Sequence, residues 1–151
     1  ARAAAASFTS MKPIPNCEVY IDGASRGNPG PAGVGVVFVN GDAQPIRQFG
    51  AYVGETTNNV AEYLALIYGM QEALQLGLRT LRVKTDSELL ARQINGQYRV
   101  RDPQLRLFHD LAKHLAQAFR GFSIEHVPRT QNRLADRLAS QAVRAAQASG
   151  L

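Results

Sequence analysis

The scarcity of cysteine and the lack of long apolar segments limit what this chain can be. Cys17 is the only cysteine among 151 residues, so an intrachain disulfide and a cysteine-rich zinc site are both excluded. No apolar run approaches the roughly 20 residues that a bilayer-spanning helix needs. The apolar stretch at the start of the sequence is too short for a secretory signal. We therefore expect a cytoplasmic protein with no membrane partner.

Lysine is also scarce, although the chain is basic. Seventeen Lys and Arg side chains oppose twelve Asp and Glu, which gives a net charge of +5, and the only lysines are Lys12, Lys84 and Lys113. The planar guanidinium group of arginine suits phosphate and nucleic-acid contacts. The composition therefore favours a polyanionic partner, with a solvated basic surface as the ordinary alternative.

Hydrophobic periodicity predicts one α/β domain. Runs of β-branched and alternating apolar residues predict strands at residues 17–22, 34–39, 47–53, 81–85 and 122–127. Helical spacing predicts four helices, at residues 59–77 and 87–94 and starting at residues 103 and 132. The order βββαβααβα predicts a five-stranded mixed sheet with helices on both faces. We place the domain at residues 16–146, between a flexible arm at 1–15 and a frayed end at 147–151.

Four carboxylates lie in four distinct local settings near the ends of these elements. They are Asp22, Glu62, Asp86 and Asp136. Each has a structural alternative. Asp22 fits an Asx turn, Glu62 fits a capping box begun by Asn59, and Asp86 suits the positive end of the next helix. Asp136, mid-helix between two arginines, fits a surface ion pair.

Their combination points to a metal site. If the first and fourth strands are central neighbours, Asp22 and Asp86 lie side by side, and two helices can each bring one further acid to them. Clustered carboxylates repel one another unless cations neutralise them. Oxygen ligands of this kind suit Mg²⁺ or Mn²⁺, and two such ions can drive a phosphoryl displacement. The pattern predicts a two-metal nuclease.

The segments around these acids resemble the four motifs of type 1 ribonuclease H. They are residues 21–31 (IDGASRGNPGP), 56–62 (TTNNVAE), 85–87 (TDS) and 132–136 (NRLAD). The resemblance extends in order over residues 17–143, with suitable elements between the motifs. It implies a ribonuclease H-like fold and an endonuclease that cuts the RNA strand of an RNA/DNA hybrid, leaving 5′-phosphate and 3′-hydroxyl ends.

The resemblance also implies roles for particular residues. Asp22, Glu62, Asp86 and Asp136 would hold two Mg²⁺ ions, with Mn²⁺ as the alternative. The substrate-binding set it implies is Gly23, Ser25, Asn28, Thr57, Asn58, Asn59 and Asn132. Within this set the position of Thr57 implies a grip on a DNA-strand phosphate. A turn-forming role for Asn28 and a helix-capping role for Asn59 are the structural alternatives.

The chain departs from the family in two places. Residues 127–132 (VPRTQN) contain no histidine, which many members carry in this loop, and His126 is predicted to be a strand residue. We therefore consider Arg129 as an auxiliary group that stabilises phosphate charge, or as a surface phosphate contact. The link at residues 95–103 is too short for the basic helical protrusion of some members, and Tyr98 is a candidate for a smaller stacking surface, or a core residue.

Three other functions compete with this interpretation. The chain could be a hybrid-binding module without activity, although such a module has no need for four mutually repelling acids. It could be a related exonuclease or junction resolvase, or a basic scaffold. We expect a monomer that hydrolyses hybrids.

Overall fold

The computed structural model describes residues 17–150 as one mixed sheet covered by helices. The strands are β1 (Glu18–Ser25), β2 (Gly30–Val39), β3 (Pro45–Thr56), β4 (Thr80–Thr85) and β5 (Gly121–His126). The helices are α1 (Asn58–Gln75), α2 (Glu88–Ile94), α3 (Pro103–Ala116) and α4 (Arg133–Ala148), with a 3-10 turn at Arg129–Gln131. The predicted order of strands and helices is confirmed. The predicted arm at 1–15 lies outside the described residues, and α4 continues two residues beyond the predicted domain end.

The sheet has the strand order β3-β2-β1-β4-β5. β1 pairs antiparallel with β2 and parallel with β4, and the last parallel pair is Ile21 with Thr85. The residues that follow this pair are Asp22 and Asp86. The predicted adjacency of the first and fourth strands is therefore confirmed. It brings two acids side by side at the C-terminal ends of two inner strands.

The first hairpin is longer than the sequence predicts. The first two strands were predicted at residues 17–22 and 34–39, but antiparallel pairing continues from Asp22 opposite Gly35 to Ser25 opposite Ala32. The turn itself is confined to residues 26–29. Ladder hydrogen bonds do not require apolar side chains, so the β1–β2 pairing extends beyond the apolar run from which the first strand was predicted. Asp22 consequently lies inside the β1–β2 ladder, where pairing with Gly35 fixes its backbone.

The two faces of the sheet are covered differently. On one face α1 packs on Val19, Ile21 and Val36, which are fully buried, as parts of the main core. On the other face α4 lies close to the backbone of β2. A Cβ built on Gly35 would lie 1.9 Å from the carbonyl oxygen of Ala135, so glycine is required for this approach. The glycine thereby sets the position of the first turn of α4.

Side-chain caps fix where three helices begin. The hydroxyl of Thr57 accepts a hydrogen bond from Val60 N at 3.2 Å, and that of Ser87 accepts one from Leu90 N at 3.1 Å. Asp102 caps α3 in the same way. Within residues 17–150, no helix has the length and apolar content needed to cross a bilayer.

The tight packing of α4 leads to a stability prediction. We expect Gly35→Ala to lower the free energy of unfolding by about 2–3 kcal/mol, because the added methyl group overpacks the contact with Ala135. Urea unfolding measures the change. Gly41→Ala is the matched control, since a Cβ there has no heavy atom within 4 Å. Equal stability of the two variants would contradict this account of the helix position.

Candidate active site

Three carboxylates converge where the parallel pairing of β1 with β4 ends. One carboxylate oxygen from each of Asp22, Glu62 and Asp86 lies within 4.8 Å of the other two. Asp22 and Glu62 are only 5% and 6% exposed, and the Asp86 side chain is 8% exposed. They line an open cleft of about 440 Å³. The sequence-based prediction that these acids meet is correct for this group.

Glu62 is held in place from the neighbouring strand. Its Oε1 accepts a hydrogen bond from the backbone N–H of Gly23 at 2.6 Å. The capping-box alternative is therefore wrong, because the cap of α1 is Thr57 and the Glu62 carboxylate turns toward β1. A Cβ at Gly23 would lie 2.2 Å from the carbonyl carbon of Ala61, so only glycine allows α1 to approach this closely.

Asp136 occupies the rim of the same cleft. It lies in the first turn of α4, not mid-helix as expected from the sequence, and it is exposed. It lines the cleft with the other acids. It is not a member of the group within 4.8 Å. Among residues 17–150 it has no salt bridge to an arginine, so the ion-pair alternative is also wrong.

The cluster is electrostatically strained in the protein alone. Burial, followed by the charges of Glu62 and Asp86, raises the pKa of Asp22 to about 10. Burial also raises the pKa of Glu62 to about 8, although the hydrogen bond from Gly23 and the charge of Arg129 oppose this. Protonation relieves the repulsion, and so does a bound cation. The site therefore favours an added positive charge.

The donor set fits hard divalent cations. All candidate ligand atoms are carboxylate oxygens, with no histidine or cysteine in the group within residues 17–150. Such oxygen ligands suit Mg²⁺ and Mn²⁺, which complete their octahedra with water or substrate phosphate. The cleft is open, so those positions are accessible to a ligand.

Arg129 provides a positive charge beside the acids. Its Nε lies 3.6 Å from Oδ2 of Asp86, while its side chain is 88% exposed. It stands in the 3-10 turn that precedes α4 and lines the cleft. His126, by contrast, is an exposed strand residue and is not among the residues that line the cleft.

A hydrogen-bonded chain of amides joins the first turn to the start of α1. Asn28 Oδ1 accepts from Asn58 N at 2.9 Å, and Asn58 Oδ1 accepts from Ser25 N at 3.4 Å. Asn58 also lines the cleft. Asn59 is exposed beside it and does not cap the helix, because Thr57 does. These predicted substrate residues are therefore together at one side of the acids.

Two members of the predicted substrate set have structural tasks. Asn132 is 1% exposed, and its Nδ2 donates to the carbonyl oxygen of Ile21 at 2.8 Å, so it ties α4 to β1 and does not reach a ligand at the surface. The N–H of Gly23 is already donated to Glu62. Burial contradicts the predicted substrate contact of Asn132. Gly23 lines the cleft, so its substrate contact stays a prediction, although its N–H is not free to make it.

Tyr98 lies away from the acids. It is 44% exposed, so the core alternative is wrong, and the guanidinium of Arg92 lies 5.3 Å from its ring centroid. It is not among the residues that line the cleft. Ser87 was not among the predicted site residues, yet it lines the cleft and its capping of α2 fixes the backbone that follows Asp86. Its signal was a serine three residues before Leu90.

Comparisons with known proteins agree with this geometry. Residues 20–142 match the protein family described as reverse transcriptase-like. Ribonuclease HI of Halobacterium salinarum is 44% identical over 124 residues, which are 82% of this chain and 62% of that protein. The crystal structure of RNase H1 from this archaeon has a TM-score of 0.83 at 43% identity, covering 85% of this chain and 97% of the other.

Two further relatives differ in how much of their own length this chain covers. A bifunctional protein of Mycobacterium tuberculosis is 43% identical over 132 residues, 87% of this chain but only 36% of that protein. LC11-RNase H1, isolated from compost and crystallised with an RNA/DNA hybrid, has a TM-score of 0.82 at 38% identity, covering 87% of this chain and 99% of the other. The fold and the buried acids define a ribonuclease H-like domain, and the chain belongs to the type 1 ribonuclease H family.

The raised pKa values of Asp22 and Glu62 predict an unusual pH dependence. Unfolded carboxyl groups lose their protons near pH 4, whereas these two retain them up to about pH 8–10 when folded. The folded protein therefore binds more protons between pH 5 and 8, and stability without metal falls as pH rises. We expect Asp22→Asn to stabilise the metal-free protein at pH 8 by about 1–3 kcal/mol and to flatten this dependence. Urea unfolding in EDTA measures both.

The exposed acid Asp42 supplies the control for this measurement. Asp42→Asn removes the same formal charge in the turn between β2 and β3, where the side chain is exposed and does not line the cleft. It should leave the pH dependence unchanged. If Asp22→Asn were no more stable than Asp42→Asn in EDTA, the repulsion among the buried acids would not be the dominant effect.

Proposed function

We propose that this protein is an endonuclease that hydrolyses the RNA strand of RNA/DNA hybrids. The observation that carries the proposal is the group of three buried carboxylates, Asp22, Glu62 and Asp86, at adjacent element ends. A pure binding module would gain nothing from such repulsion. Membership of the type 1 ribonuclease H family supports the choice of reaction, and the crystallised complex of LC11-RNase H1 with a hybrid supports the choice of substrate.

The three buried acids and Asp136 would hold two Mg²⁺ ions, with Mn²⁺ as the alternative. Bound there, the cations supply Lewis-acid polarisation of the phosphate and activation of the attacking water. The protein fixes the ligand geometry through the β1–β4 pairing and through the hydrogen bond from Gly23 to Glu62. Asp136, exposed on the rim, can adjust its position as the substrate enters.

Arg129 is placed to act on the reacting phosphate. Its guanidinium is exposed and only 3.6 Å from Asp86, so it can donate to a phosphate oxygen that enters the cleft. Such donation stabilises negative charge that develops on phosphate during in-line displacement. Attack of water on phosphorus with departure of the ribose 3′-oxygen leaves a 5′-phosphate and a 3′-hydroxyl.

The amide network beside the acids is suited to recognising sugar identity. A hybrid displays 2′-hydroxyl groups across a wide, shallow minor groove. The NH₂ groups of Asn28 and Asn58 lie at the opposite end of each amide from the oxygens used in the network, so they can donate to such hydroxyls. Thr57, at the N-terminus of α1, offers a hydroxyl and the positive end of the helix to a DNA-strand phosphate. Exposed Asn59 extends this surface.

The proposed activity needs only one copy of the chain. All candidate groups come from that copy, so a monomer suffices for activity. Tyr98 and its stacked Arg92 form an exposed pair that can stack on a base and bind phosphate. A cytoplasmic location stays a prediction from the sequence.

A cleavage assay tests the proposed activity. We expect Mg²⁺-dependent cuts within the RNA strand of a labelled, circular or end-blocked hybrid, no cuts in EDTA, and none by Asp22→Asn. Gel analysis with marker ladders identifies the product ends. Binding without cleavage would favour a non-catalytic module, and cleavage only at free ends would favour an exonuclease. Matched duplex DNA serves as the uncut control.

A second measurement tests the role of Arg129. We expect Arg129→Ala to lower kcat by about tenfold or more, because a charge-stabilising donor is lost, while KM changes less. Arg120→Ala removes another exposed arginine, which precedes β5 and does not line the cleft, and it should have no such effect. If kcat were unchanged while KM rose, Arg129 would be a simple phosphate contact and its auxiliary catalytic role would be refuted.

A further inference from the structure

A row of arginines that do not line the cleft runs along the exposed side of α4. Arg133, Arg137 and Arg144 are all exposed, whereas the opposite side of the helix buries small residues. Spacings of four and seven residues place the three on one helical stripe. With a rise of about 1.5 Å per residue, the stripe extends roughly 16 Å. We call these three residues the α4 arginine row.

The row borders an open groove that joins the acidic cleft. The groove has a volume of about 580 Å³ and is lined by the row together with Arg129 and Asp136. These last two residues also line the cleft. A strand whose phosphate occupies the cleft is therefore placed to continue along the groove, because the two share these lining residues.

The row carries an electrostatic cost in the isolated protein. Among residues 17–150, none of its guanidinium groups lies within 4.0 Å of a carboxylate partner. Arg133 is the first residue of α4, where the helix dipole disfavours a cation. Arg133 and Arg137 are four residues apart, a spacing at which like charges repel. An ordinary solvated helix face with paired charges would avoid these features, and a polyanion would relieve them.

We propose that the α4 arginine row binds phosphates of the cleaved RNA strand on one side of the scissile bond. The inference rests on the proposed function, because the strand that enters the groove is the one whose phosphate lies among the carboxylates. The amides that face the minor groove lie at the start of α1, which covers the other face of the sheet. The hybrid is thus contacted by two helices from opposite faces, with the row assigned to the RNA strand.

Equilibrium binding tests this assignment without relying on turnover. All proteins carry Asp22→Asn, and the affinity for a fluorescent hybrid is measured against salt concentration. Each phosphate contact contributes about 0.7–0.9 to the slope of log K against log salt. We expect Arg133→Gln/Arg137→Gln/Arg144→Gln to reduce the slope by about 2 and the affinity at low salt by about tenfold or more. A slope equal to that of the parent would overturn the proposal.

A charge-matched variant controls for the loss of net charge. Arg79→Gln/Arg82→Gln/Arg120→Gln removes three exposed arginines at the start of β4 and β5, at the end of those strands remote from the acids. It should change the slope by much less than the row variant. Equal losses in the two variants would show that net charge alone is responsible, and the row would have no special role. Thermal unfolding should show both variants folded.

Neutral phosphates identify the strand. Single methylphosphonates placed near the cleavage position in the RNA strand should weaken binding by the parent but not by the row variant. The same groups in the DNA strand should weaken both proteins equally. If only DNA-strand methylphosphonates distinguish the two proteins, the row binds DNA and the assignment to RNA is wrong. Hydrolysis by the protein without Asp22→Asn is scored separately, so failure of the row assignment leaves the nuclease assignment intact.

Discussion

Repulsion among three buried carboxylates is the constraint on which the rest of the structure depends. Asp22, Glu62 and Asp86 are forced together by the β1–β4 pairing and by the close approach of α1, although each would be more stable apart. Their proximity must therefore be supported by burial elsewhere, and the β-branched core between α1 and the sheet supplies it. Repulsion among the clustered carboxylates favours binding of cations in the cleft, and bound cations would in turn attract phosphate.

Positive charge is distributed around this edge in two distinct ways. Arg129 contacts the acids directly and moderates the pKa of Glu62, while the α4 arginine row lies beyond them along the groove. The first arrangement tunes the charge at the place where phosphate chemistry would occur. The second, by our proposal, binds phosphates of the same strand on one side of that place. A single helix, α4, connects both because it begins immediately after the turn that carries Arg129.

Much of the fold and the acid cluster could be predicted from the sequence because the signals were local. The apolar run before Asp22, the run before Asp86 and the change of period after Asn59 each mark an element boundary. A mixed sheet with β1 and β4 as neighbours then brings Asp22 and Asp86 together. Asn28 and Asn58 were predicted near the acids for the same reason, since they flank those boundaries, and their substrate contacts stay predictions.

What sequence reasoning missed depends on contacts between distant segments. Nothing near Gly35 indicates that Ala135 lies against it, and nothing near Asn132 shows that its amide is buried on the carbonyl of Ile21. The same applies to Glu62, whose helical spacing suggested a cap although its partner is Gly23, 39 residues earlier. The bond between Asn132 and Ile21 spans 111 residues, so at about 5–20 residues per second a ribosome makes β1 roughly 5–20 seconds before the segment that secures it. The cleft is therefore completed only after α4 has been synthesised and has docked on the sheet.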